Sequence, residues 1–303
     1  MNLVIMIPFI NGLRMAMPML GSLKYNTSDS PEWLIIDNGS TDPVEKYIMN
    51  YVKPKRMSYI RNDINPGLIA NNNFAYNYCK DNGIDLLCLL HNDCFIYEKG
   101  WDQRIVSYFE KMPDLGIAGF FGAQGCHVDG GRMQDTNFPG RSGYSEMLEA
   151  ELHGMRMGVN MPWRPAAIFD SFCMVFRVEM LKKCNGFDTR YKWHHFYDRD
   201  SSLQSLRQGY KNIIVNVPNH HIGGLTNENP FYQEWLLKQI GSKMEDGVVH
   251  NENKEKFMKK WEFALPLYVN DDFTFRTGPT GLGMDYKGDS ILKVVSKVEP
   301  LKK

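Results

Sequence analysis

Apolar residues in the N-terminal part of the chain gather into short continuous blocks, separated by stretches with helical spacing. Leu3–Ile7, Trp33–Ile36, Met57–Arg61 and Asp85–Leu90 read as strands buried on both faces. Between them, Met15–Leu23 (interrupted by Pro18), Val44–Val52 and Ile69–Asn82 read as helices. This alternation predicts an α/β protein built from βαβ units around a mostly parallel sheet. Trp101–Met112 continues as a helix, with Ile105, Tyr108 and Phe109 at helical spacing, and Gly116–Phe121 as a strand. From Gly122 to Arg164 the periodicity fades into glycine, proline and polar residues, which predicts long loops. Strand Ile168–Arg177, helix Ser201–Gln208 and strand Ile213–Val217 follow, then amphipathic helices at Phe231–Ile240 and Lys254–Phe263. The end, from Asn270 to Lys303, is rich in glycine and lysine and reads as partly disordered.

Two of the predicted strands end on carboxylates. Leu34-Ile35-Ile36 runs into Asp37-Asn38-Gly39-Ser40-Thr41-Asp42, and Leu86 to Leu90 runs into His91-Asn92-Asp93. In an open α/β sheet ligands bind beyond the carboxyl ends of the strands. Two acids delivered to one such edge suit a nucleoside diphosphate held through a divalent cation. If the second strand persists, residues two apart share a face, so His91 and Asp93 point together. Asp42, just before Pro43, has the character of a helix cap for the segment starting near Val44.

Bulk properties narrow the classes. The chain has 303 residues, with 35 basic and 35 acidic side chains, so no overall field recruits a polyanion. Six cysteines without a CxxC spacing argue against a zinc knuckle or redox dithiol and fit a reducing, cytoplasmic setting. No apolar run has the length of a membrane span, and the N-terminus lacks the features of a signal peptide. A dinucleotide-binding oxidoreductase needs GxGxxG after the first strand, which is missing here.

Taken in order, Ile7-Pro8-Phe9-Ile10-Asn11, Ile35 to Asp42, Asn65-Pro66-Gly67 with Asn72, His91-Asn92-Asp93, Gly186-Phe187-Asp188, Tyr197-Asp198-Arg199-Asp200 before Gly209-Tyr210, and His221 to Thr226 resemble the family 2-like glycosyltransferases of GT-A fold. The resemblance spans roughly three-quarters of the chain. It implies a Rossmann-like central sheet flanked by helices, with a C-terminal helical extension. It implies inverting transfer of a sugar from a nucleotide-sugar, a uridine diphosphosugar by default, with Mn²⁺ or Mg²⁺ as cofactor.

Carried over by position, the resemblance implies that Pro8, Phe9, Asn11, Asp37, Asn65, Gly67, His91, Asn92 and Asp93 bind the donor. It places Asp93 and His221 on the metal. His91 stands where the family has an acid or Asn, and reads either as a third ligand or, the preferred assignment, as a contact to the donor phosphates. The general base comes from Asp198 or Asp200. Asp198 matches the family's base, with the helix N-terminus keeping it ionised. Asp200, beside Ser201 and Ser202, suits capping. Tyr197 replaces the family's Glu. Trp193, His195 and Asp170 are candidates for the acceptor side.

The expected organisation is a glycosyltransferase domain over 1–228, with a donor half to about 121 and an acceptor half from 122. A helical extension covers 229–269 and a tail 270–303. The acceptor is a hydroxyl, foremost of a glycan. Two alternatives stay open: a phage-type enzyme acting on a hydroxymethylated DNA base, for which Arg132, Arg141, Arg156 and Arg164 would meet phosphates, and a non-catalytic nucleotide- or sugar-binding module. Oligomeric state is left open.

Overall fold

The computed structural model describes residues 1–133, 161–222, 230–241 and 247–277. Arg141, Arg156, Gly223 to Thr226 and the tail beyond 277 lie outside the described residues. Four strands open the fold: β1 (Leu3–Phe9), β2 (Glu32–Asn38), β3 (Met57–Asn62) and β4 (Leu86–Leu90). They alternate with helices α1 (Leu13–Asn26), α2 (Val44–Tyr47) and α3 (Leu68–Asp81). After α2 the helix widens into a π turn over Ile48–Val52 and stops at Lys53, whose φ of 47° no helix continues. Pro18 sits inside α1 without ending it.

Downstream come β5 (Cys94–Ile96), α4 (Trp101–Lys111), β6 (Leu115–Gly119), and short strands β7 (Gly122–Ala123), β8 (Gly125–Cys126), β9 (Arg132–Met133), β10 (Trp163–Pro165) and β11 (Ile168–Phe169). The chain then forms β12 (Cys173–Arg177), α5 (Val178–Cys184), α6 (Tyr197–Arg207), β13 (Lys211–Val215) and β14 (Asn219–His221). Helices α7 (Pro230–Ile240) and α8 (Val248–Trp261) and strands β15 (Leu267–Val269) and β16 (Phe275–Thr277) complete the described fold.

The central sheet has eight strands in the order β10-β13-β6-β12-β4-β1-β2-β3. β1 pairs in parallel with β2 and β4, β2 with β3, and β13 with β6, while β12 and β10 run antiparallel. Alternate residues feed two cores. Val4, Met6, Leu34, Ile36, Leu87 and Leu89 face one, whereas Ile5, Ile7, Trp33, Ile35, Cys88 and Leu90 face the other. Both faces are therefore covered, which is why these strands read as unbroken apolar runs. After β3 the chain returns across the sheet to lay β4 on the far side of β1. That reversal opens a crevice beyond the carboxyl ends of β1 and β4.

Several expected boundaries shift. The predicted strand Ile168–Arg177 is broken, because Asp170–Phe172 leave the ladder between β11 and β12. Helix α6 starts at Tyr197, four residues before the expected Ser201, so Asp198 and Asp200 lie in its first turn. The C-terminal region is not helical alone. β15 pairs with both β16 and β8, forming a small sheet with β9, so the segment expected as tail begins in a strand pair.

Candidate active site

A cavity of about 450 Å³ occupies the crevice between β1 and β4. The end of β1 supplies Pro8, Phe9 and Ile10, and the turn after β4 supplies His91, Asn92 and Asp93. Asn65 and Gly67 enter from the loop before α3, and Asp170 and Ser171 from the break between β11 and β12. Trp193, His195, Asp198 and His221 complete this part of the lining.

Strand β4 stops at Leu90, so His91 and Asp93 do not meet by strand alternation as expected. They meet in a turn closed by Cys94 N–H donating to the His91 carbonyl at 3.3 Å. The next three residues, β5, pair antiparallel with β14, setting His221 opposite Cys94. This ladder carries His221 to the turn: its Nε2 lies 3.2 Å from Asp93 Oδ1, and His91 Nδ1 lies 4.0 Å from the same oxygen. One ligand atom from each of the three residues falls within 4.8 Å of the others, a spacing that fits one cation. The Phe172 ring stacks on the His221 imidazole, centroids 4.4 Å apart, and fixes its plane.

Protonation suits ligation. Burial and the nearby His221 push the His91 pKa down to about 4, leaving a neutral imidazole. Burial acts to raise Asp93, but the hydrogen bond and charge of His221 outweigh it and hold the carboxyl below its usual range. His91 Nε2 is buried without a hydrogen-bond partner among the described residues. His91 thus stands in one cluster with Asp93 and His221, placed for either of its two expected roles, metal ligand or phosphate contact. The cluster's donor set, two imidazoles and one carboxylate, suits Mn²⁺ better than Mg²⁺.

Asp198, buried in the first turn of α6, accepts hydrogen bonds from its neighbour Arg199 through the backbone N–H at 2.9 Å and the guanidinium at 3.2 Å. Burial, opposed by Arg199 and reinforced by Asp170, raises its pKa. Desolvation outweighs the stabilisation of the anion by Arg199, so the carboxyl lies above its usual value. Asp170 shifts the other way. Burial is overcome by Arg199 and by Arg132, whose guanidinium lies 2.6 Å from Asp170 Oδ2. Two carboxylates of one cavity are thereby driven apart in proton affinity, the arrangement of a base beside a fixed anion.

Three expected site residues lie outside the cavity lining. Asp37 is fully buried: Oδ1 accepts the Ser40 N–H at 2.9 Å, while Oδ2 accepts the Tyr59 hydroxyl at 2.6 Å and pairs with Arg61. Its neighbour Asn38 faces the cavity instead. Asn11 Oδ1 accepts the Thr41 N–H at 2.7 Å and the Asp42 N–H at 3.2 Å, clamping one loop to the next. Asp200 accepts from Trp261 Nε1 at 2.8 Å, Tyr191 at 3.1 Å and Lys260 at 2.9 Å, so α8 holds it on the far side of α6. Asp42 caps a different helix from the one expected, accepting the Leu13 N–H at the start of α1 at 2.9 Å. Gly67, with φ 89°, is needed for Trp193: a Cβ there would sit 2.9 Å from the indole ring.

Sequence reasoning missed the roof. Tyr232 of α7 and His250 of α8 also line the cavity, and the Tyr232 hydroxyl is 3.0 Å from His194 Nδ1. Trp193 packs edge-on against Trp235, centroids 5.0 Å apart. Nothing in the amphipathic pattern of these helices marks the residues that face a ligand. Of the arginines considered for DNA, the two among the described residues are engaged within the protein: Arg132 by Asp170, and Arg164 by Asp271 at 3.0 Å. All six cysteines are free, and no helix among the described residues is long and apolar enough to cross a membrane.

Solved structures share this fold at low identity. The structure of GalNAc-T7 with UDP, GalNAc and Mn²⁺ matches with a TM-score of 0.58 and 14% identity, covering 88% of this chain and 52% of that one. This chain thus spans about half the length of GalNAc-T7. The mannosyltransferase PcManGT from Pyrobaculum calidifontis, in complex with GDP-Man and Mn²⁺, matches at TM-score 0.53 and 12% identity over 87% and 70% of the two chains. S. aureus TarS 1–349 in complex with UDP-GlcNAc gives 0.51 and 11% over 87% and 72%. No curated protein matches the sequence. The profile of glycosyl transferase family 2 matches residues 4–184, more than half of the chain, and the protein belongs to that family.

Proposed function

We propose that the protein is an inverting, metal-dependent glycosyltransferase that moves a sugar from a uridine diphosphosugar to a hydroxyl group of a glycan. The observation carrying this reading is that the His91–Asp93–His221 cluster and the buried base candidate Asp198 share one cavity at the reversal of the sheet. Bound there, a divalent ion would neutralise charge on the donor diphosphate. Asp198 takes the acceptor proton as the hydroxyl oxygen bonds to the anomeric carbon and the bond to the diphosphate breaks, releasing the nucleoside diphosphate. Attack from the face opposite the leaving group inverts the anomeric centre. Uridine as the base is supported by the UDP in the GalNAc-T7 structure and the UDP-GlcNAc in the TarS structure. The free, mostly buried thiols fit a cytoplasmic setting.

A thermal-shift panel of UDP, GDP and dTDP, each with Mn²⁺ or chelator, tests the donor side. UDP is expected to stabilise only with the metal. Asp198→Asn is expected to keep that shift while sugar transfer from UDP-GlcNAc or UDP-GalNAc falls by roughly 10²–10⁴-fold, the usual worth of general-base catalysis. Retained transfer removes Asp198 from its role. A UDP shift in a protein that transfers no sugar makes it a binding module.

A further inference from the structure

We infer that Asn253 of α8 is a positioning residue for the glycosyl-transfer site, holding the Trp193–His195 wall of the cavity in its working conformation. The inference rests on the proposed function, since it concerns how the acceptor side of that site is built. Trp193, His195 and Phe196 adopt a backbone that L-amino acids rarely take, with φ of 55°, 68° and 63°. None of the three is glycine, so the conformation must be imposed from outside. Asn253 imposes it. Its side chain is completely buried, its Oδ1 accepts the Lys192 N–H at 3.0 Å, and its Nδ2 donates to the carbonyls of Lys192 at 2.9 Å, His194 at 2.6 Å and His195 at 3.4 Å.

One amide therefore bonds one N–H and three carbonyls of a loop that forms no regular structure. The loop leads within three residues from His195 to Asp198, and a second tie joins it to the donor side, where the Trp193 carbonyl accepts the Leu68 N–H at 2.8 Å. Burial keeps His194 and His195 neutral, with pKa values of about 3 and about 4, so the wall offers uncharged imidazoles and an indole to whatever it meets. Asn253 lies beyond residues 4–184, the stretch the family profile matches. Its amide group is suited to this task because it presents a donor and an acceptor together, which Asp and Ala do not.

The test compares Asn253→Ala and the near-isosteric Asn253→Asp with the unmodified protein. Three quantities are read: the imidazole NMR signals, UDP affinity with Mn²⁺, and turnover of UDP-GlcNAc or UDP-GalNAc, whichever the unmodified protein uses. The His194 and His195 signals are expected to move while those of His91 and His221 stay. UDP affinity is expected to hold while turnover drops roughly tenfold or more, because small misplacements of a reacting wall are costly. Unchanged turnover overturns the inference. So does loss of UDP affinity and turnover together, which marks general destabilisation. If the unmodified protein turns over no nucleotide sugar, the functional reading fails, and the inference then stands or falls on whether the His194 and His195 signals move alone.

Discussion

Two side chains carry the proposed chemistry. His91 stands where an acid would give Asp93 a second carboxylate neighbour, and it removes a negative charge from the cluster while adding an imidazole. Imidazole ligands favour Mn²⁺, and oxygen ligands favour Mg²⁺. Titration calorimetry of each ion in the presence of UDP is expected to show a clear Mn²⁺ preference. His91→Asp is expected to narrow that preference by strengthening Mg²⁺, and an unchanged ratio would exclude His91 from the metal. Asp198 sets the pH response. Its folded-state pKa is raised, chiefly by burial, and only the ionised form can accept a proton. Activity should therefore rise with pH through a limb lying above the ordinary carboxylate range near 3.8. The sign is opposite for the stability linked to this group. It is fully present at pH below 3.8 and is lost as pH rises through the raised value, since the folded state holds the proton more tightly. A rate profile in pH, with stability measured alongside, checks both slopes. An acid limb below the usual carboxylate value would point instead to the salt-bridged Asp170 as the base.

Helix α6 shows how much of the site the sequence disclosed. The strand end at Leu90 was legible, because a sheet buried on both faces writes continuous apolar blocks that stop where the ligand edge begins, whereas β1 runs two residues past the expected Ile7, through Pro8 to Phe9. The pairing of Asp93 with His221 was legible as an ordered motif, though not its cause, the three-residue ladder between β5 and β14. The roles of Asp198 and Asp200 were not separable. The start of α6 follows three left-handed residues that no propensity favours, and the partners that claim Asp200 lie 60 and 61 positions away. Asp37 and Asn11 are bonded to turn backbone, because short polar side chains near turns serve the backbone as readily as a ligand. The structure now separates the two acids of α6. Asp200→Asn should cost about 1–3 kcal/mol, the usual loss when a buried charged hydrogen-bond partner is weakened. Urea denaturation checks the loss. Turnover should fall far less than in Asp198→Asn. A turnover defect equal to that of Asp198→Asn, without loss of stability, would assign Asp200 to the chemistry.

The C-terminal residues belong to the same core as the sheet. Phe257, Trp261, Leu265, Leu267 and Val269 share one buried cluster with Met174 and Phe176 of β12, and β15 is hydrogen bonded to β8. The family profile ends at residue 184, so sequence similarity alone suggests that the rest is dispensable. Packing says otherwise. Removing one large aromatic side chain from a core costs about 3–5 kcal/mol. Phe257 and Trp261 are both almost completely buried. Their combined loss rivals the roughly 5–15 kcal/mol that holds a typical domain folded. A chain cut before Val248 would also lose His250 from the cavity and Asn253 from the loop, and would strip Lys260 from Asp200 and from Asp188, leaving the latter with Arg190. Such a truncation is expected to lose cooperative unfolding and metal-dependent UDP binding together, read by calorimetry and by thermal shift. A truncated protein that still unfolds cooperatively and binds UDP with Mn²⁺ would show that the donor half stands alone. In that case α8 would serve the acceptor wall and nothing more.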